Sequence, residues 1–189
     1  MGEPLYLSMW LADFTPLALP LYFRKALEVF PFSKLSPAIV LRVYAISFLE
    51  TPVFECFIDG AMEAREVAEL AQEHLHDDCC YQLEASWDLL QWDREWTIQP
   101  SKVCIELYAP NFERDMDDQL RITLGDESLF LPHPVSDRLR PVQSNIRSIL
   151  HLADDLEGAL SVDRRLLWSA EDENFAERLA LLLDDAVGE

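Results

Sequence analysis

Seven consecutive residues, His74-Leu75-His76-Asp77-Asp78-Cys79-Cys80, bring together imidazole, carboxylate and thiol groups, which are the ligand types of zinc and related metals. Their spacing works against a shared ion. Two residues apart on a helix, His74 and His76 point about 200° away from each other. If Cys79 and Cys80 open a strand, they face opposite sides of it. The run reads instead as a helix end, with the histidines against the negative C-terminal dipole, the acids in a solvated turn and Cys79 in the core. Acids beside the vicinal cysteines disfavour thiolate, so this pair reads as structural rather than redox-active. Neither a metal nor a cofactor is expected.

A second constellation is spread over three segments. In Cys79–Leu89, Cys79, Tyr81, Leu83, Ala85, Trp87 and Leu89 alternate with polar residues, and Lys102–Tyr108 alternates in the same way. If strands 79–89, 102–108 and 120–124 are neighbours, Glu84, Asp88, Glu106, Tyr108, Arg121 and Thr123 share one surface. Carboxylates clustered with a tyrosine and an arginine suit a cationic or polar ligand, or acid–base work if one carboxyl stays protonated. The plainer account is a hydrated sheet face, or one partly covered by the C-terminal helices.

Aromatic residues form a third group. Trp87 belongs to the apolar face of its strand. Trp92 and Trp96 flank Asp93-Arg94-Glu95 at a hairpin end. Aromatics rimmed by charge are typical interface anchors; the alternative is a pair folded back across the hairpin. Nucleophilic chemistry finds no support, because G-x-S-x-G, P-loop and dinucleotide glycine motifs are all absent from a chain with five glycines. His133 and His151 have no sequence-local partner. Asp154-Asp155-x-Glu157 lacks the E-x-x-H element of di-metal bundles.

The elements that must position these residues follow from periodicity. Leu5–Phe14 reads as a strand and Leu19–Phe30 as a helix stopped by Pro31. Ile39–Leu49 and Val53–Ile58 read as strands separated by Glu50-Thr51-Pro52. Ala61–Leu75 is an amphipathic helix, with Ala64, Val67, Ala68 and Ala71 opposite a row of glutamates. Leu120, Ile122 and Leu124 mark another strand, after which Gly125-Asp126 turns and Ser128–Leu131 returns. Helices over about 142–160 and 172–186 complete the chain, the second led by Glu171, Asp172 and Glu173. The expected fold is α+β. It has a ferredoxin-like βαββαβ core at about 5–90, extended by an antiparallel meander and two C-terminal helices. Residues 1–135 form the sheet domain, and 136–189 a helical extension packed on it.

Charge narrows the function. The chain has 15 Lys+Arg against 35 Asp+Glu, a net −20, and half of its residues are apolar. The imbalance is local, since residues 51–100 hold two bases against twelve acids, whereas residues 1–50 are neutral. Such a field repels nucleic acid and anionic membrane and favours a basic partner. The N-terminal segment lacks the basic flank and unbroken apolar run of a secretory signal, and no run approaches the roughly 20 residues of a membrane span. Together with four cysteines lacking a disulfide-framework spacing, this points to a soluble cytoplasmic protein with reduced thiols. The expected function is that of an acidic protein-interaction domain without catalytic activity, of the adaptor, inhibitor or immunity type, steered by its acids and anchored by Trp92 or Trp96. The alternative is a small-molecule module in which Glu84, Glu106, Tyr108 and Arg121 line a pocket under the helices. Oligomeric state stays open.

Overall fold

The computed structural model describes residues 2–61, 63–133, 138–170 and 174–184. Seven strands, β1 (Pro4–Leu11), β2 (Ile39–Ala45), β3 (Phe54–Ile58), β4 (Cys79–Asp93), β5 (Glu95–Tyr108), β6 (Leu120–Asp126) and β7 (Val162–Trp168), form one sheet. Its order is β3-β2-β4-β5-β6-β1-β7, and every neighbouring pair is antiparallel. Helices α1 (Leu19–Val29), α2 (Ala64–Gln72), α3 (Arg140–Ala159) and α4 (Phe175–Asp184) complete a mixed α+β architecture. Among the described residues no helix is long and apolar enough to cross a membrane.

Strand alternation decides which face the helices cover. The odd-numbered residues of β4 from Cys79 to Leu89 are buried, and they join Leu5, Leu7 and Met9 of β1 and Ile105 and Leu107 of β5 in one core. From the helices, Phe23 and Leu27 of α1, Val67 and Ala71 of α2, and Val142, Ile146, Ile149 and Leu156 of α3 meet them at helical spacing. Each large apolar side chain buried there contributes about 2 kcal/mol, so a one-residue slip that turned this set to water would be prohibitive. Trp87 sits near the centre, with the rings of Phe30 and Phe130 at 5.9 and 6.3 Å. Helix α3 also holds backbone in place. Its buried Asn145 donates to the Leu90 and Leu129 carbonyls at 2.8 Å and accepts from the Leu90 N–H at 3.0 Å.

The order of elements up to residue 90 is β-α-β-β-α-β as expected, but the strand order is not ferredoxin-like. That arrangement needs the first strand in the middle of a four-stranded sheet, beside the fourth. Here β1 lies between β6 and β7, and β2 sits between β3 and β4. The long β4–β5 hairpin explains the difference. It pairs from Cys80↔Tyr108 to Asp93↔Glu95, and with β2 on its other side β4 has no free edge for β1.

Three further expectations need correction. Residues 136–189 are not only helical, because β7 pairs with β1 from Tyr6↔Trp168 to Leu11↔Val162 and so completes the sheet. Ser128–Leu131 does not return as a strand; Glu127–Phe130 is a 3-10 turn in which Asp126 accepts from the Ser128 N–H at 2.9 Å and Phe130 is buried. Finally, β2 stops at Ala45 rather than Leu49, because Ile46 adopts φ 70°. Glu171, Asp172 and Glu173, expected to lead the last helix, lie outside the described residues.

Candidate interaction surface

The face away from the helices is built by the even-numbered residues of β4 and their cross-strand partners. Glu84 stands opposite Cys104, Gln82 opposite Glu106, and Glu106 opposite Arg121, so the three segments are neighbours in the sheet. Among the described residues a loop, and not a helix, packs on part of this face. The connection from β5 to β6, residues 109–119, folds back over it as a strap. The expected pocket under the helices is therefore absent from this face, because Glu84, Glu106 and Tyr108 point the other way.

Beneath the strap the polar groups satisfy one another. The Asp118 carboxylate is 0% exposed and accepts from Arg121 through Nε and Nη2, both at 2.9 Å, and from the Ser8 hydroxyl at 2.7 Å. Ser8 in turn accepts from the Trp168 indole at 3.0 Å. The same Nη2 of Arg121 also donates to Asp115 at 2.9 Å, and its guanidinium lies over the rings of Tyr108 and Trp168 at 5.6 and 5.7 Å. Glu106 accepts from Gln82 and from the Tyr108 hydroxyl. Burial, reinforced by the Glu106 charge, pushes the Tyr108 hydroxyl far above its ordinary value, and burial raises the Cys80 and Cys104 thiols as well. Burial of this kind disfavours the thiolate and phenolate forms near neutrality. Burial opposes ionisation of Asp115, yet its bond to Arg121 holds the carboxyl below the usual range.

Toward β2 and β3 the face is open. Arg42 bridges Glu55 and Glu84 there. Next to it a shallow concavity of about 320 Å³ is lined by Val40, Glu84, Ser86, Lys102, Cys104 and Thr123. Asp88 is committed elsewhere, accepting from the Ser33 hydroxyl and the Lys34 N–H in the loop after α1.

Trp92 and Trp96 form a cross-strand pair at the hairpin tip, 5.7 Å apart and edge to face, with the His133 ring 5.4 Å from Trp92. The turn between them places Arg94 at φ 65°. Both indoles are half-buried, so the pair folds back across the hairpin and keeps part of its surface in water. The residues of the 74–80 run diverge. His74 stacks on Phe54, Cys79 joins the core under the helices, and Cys80 packs with Tyr108 and Phe112 on the opposite side. Among the described residues no three His, Cys, Asp or Glu side chains converge on a metal-sized site.

Sequence reasoning assigned no role to Asp118, Ser8 or Arg42. The only local sign was Asp118 three residues before Arg121, in a stretch without periodicity. It also missed an apolar end. Ile46, Phe48, Leu49, Val53 and Phe57 are exposed around the β2–β3 hairpin, with Leu49 at 94%. Phe48 packs edge-on against Tyr44 and Phe112 at 5.0 and 4.9 Å, which holds this end on the strap. Compared with family models, with curated proteins and with solved structures, the chain matches none of them.

Proposed function

We propose that this protein is a noncatalytic acidic interaction domain that binds a basic protein, in the manner of an adaptor, inhibitor or immunity protein. One observation carries the reading. The exposed apolar side chains Ile46, Phe48, Leu49, Val53 and Phe57 stand in the stretch 43–64, which holds Glu50, Glu55, Asp59 and Glu63 and no lysine or arginine. An apolar contact area inside a one-signed field combines anchoring with steering: the acids speed encounter with a basic surface, and desolvated side chains hold it. The half-buried Trp92–Trp96 pair offers a second anchor. A small-molecule site on the sheet face is the weaker reading, since Glu106, Tyr108 and Arg121 spend their hydrogen bonds on one another and on the strap.

Salt-graded capture tests the function. The immobilised protein is expected to retain, from a lysate of its source, one stoichiometric protein rich in lysine and arginine that elutes as salt rises. The Trp92→Ala/Trp96→Ala double variant is expected to weaken retention by about tenfold if the tip is an anchor. An empty bait, or a neutral partner indifferent to salt, overturns the proposal.

A further inference from the structure

We infer that the outer edge of β3 accepts an extended segment of the basic partner as an eighth strand, one with apolar residues at its centre and lysine or arginine on both flanks. The inference rests on the proposed acidic interaction function and names where the partner docks.

The two edges of this sheet differ. At the far edge, β7 carries Asp163, Arg164 and Arg165 in succession. Arg165 pairs with Asp154 and Glu157, and Arg164 lies 3.6 Å over the Trp10 ring. Consecutive charges of this kind obstruct edge-to-edge pairing. Strand β3 ends the sheet on the other side with Phe-Glu-Cys-Phe-Ile, which contains no lysine and no proline. Its single charge, Glu55, is turned back to Arg42 of β2. Val53 and Phe57 are 54% and 65% exposed. The outer row of N–H and C=O groups is thus flanked by apolar side chains, the arrangement that strand addition uses.

Charge chooses the occupant. Asp59 follows β3 directly and Glu50 precedes it by four residues, with Glu63 beyond; none of the three makes an ion pair among the described residues. No base lies between Arg42 and Arg65 to answer them. A second copy would bring the same acids and another net −20 to this edge, whereas a strand with basic flanks meets acids at both ends and Phe57 near its middle.

The probe is a fluorescent peptide, Lys-Lys-Val-Thr-Val-Thr-Val-Lys-Lys, titrated with the whole protein at low and physiological salt, beside the same peptide N-methylated on its inner amides along both edges. Salt-sensitive binding that falls at least about tenfold on N-methylation, and similarly in Phe57→Lys, supports edge addition. Val53→Lys serves as the second variant should Phe57→Lys fail to fold, judged by its circular dichroism. If the N-methylated peptide binds as well as the parent, or both variants bind normally, the edge is not the docking site, yet salt-sensitive capture still supports the acidic reading. If neither peptide binds and capture from lysate is also empty, both proposals fall. A dimer seen by sedimentation and dissociated by Phe57→Lys gives the edge to a second copy and overturns the inference.

Discussion

Ile46 occupies a backbone conformation that β-branched residues avoid. Its φ is 70°, and the Ser47 N–H donates to the Ala45 carbonyl at 2.8 Å across it, which makes a γ-turn of the strained kind. The conformation persists because two neighbours hold it. The Ile46 N–H donates to the Asp78 carbonyl at 2.8 Å, and its own carbonyl accepts from the Glu113 N–H at 2.7 Å. With the side chain mostly in solvent, little packing offsets the strain. Ile46→Asn, a residue that tolerates positive φ, is expected to stabilise the protein by about 1 kcal/mol. At this chain length that is roughly 3 °C in Tm by thermal unfolding. A lower Tm would mean that the isoleucine side chain supports the hairpin end.

The strap over residues 109–119 is held by two carboxylates of very different worth. Asp118 is buried with Arg121 and Ser8 as partners, so Asp118→Ala strands a buried guanidinium and is expected to cost about 3–5 kcal/mol. Asp115 holds the same arginine from outside with its side chain 68% exposed, and Asp115→Asn is expected to cost only about 0.5 kcal/mol at neutral pH. Urea unfolding of the two variants checks the contrast; equal losses would refute it. Acid adds a second readout. The folded-state pKa of Asp115 is depressed, so below neutrality the unfolded chain binds the extra proton. Its contribution is complete above about pH 4 and is lost as pH falls through the depressed value. Asp126, which accepts from the Gly2 and Ser128 N–H groups, is depressed too and acts in the same direction. Asp115→Asn is therefore expected to lose less stability than the parent on acidification.

Over the whole molecule, the excess of acids opposes compaction. Arg42, Arg65, Arg121 and Arg165 are already engaged in ion pairs, so most of the net −20 lies on carboxylates without a counter-charge. Screening relieves like-charge repulsion more than it weakens the buried Asp118–Arg121 pair. Raising sodium chloride from low to physiological concentration is expected to lift Tm by about 3 °C, equivalent to ~1 kcal/mol at this length. A fall in Tm would show that paired charges outweigh the repulsion. The same salt series weakens partner capture, so stability and binding are expected to move in opposite directions.

Local periodicity and composition in the sequence by themselves determined the amphipathic α2, the alternating faces of β4 and β5, and the acidic field. These features depend on residues a few positions apart and on composition, which chain order preserves. Strand order was decided only in three dimensions. Alternation says which face a residue takes but not which strand lies beside it, and β1 finds its partners more than a hundred residues away, at Thr123 and Trp168. Strand β7, Val-Asp-Arg-Arg-Leu-Leu-Trp, has no two-residue rhythm and becomes a strand because β1 offers it an edge. The strap likewise lacks a pattern. It took the tertiary structure to place Asp118 against Arg121 beneath the strap, and to leave β3 at the edge of the sheet beside acids that make no ion pair among the described residues.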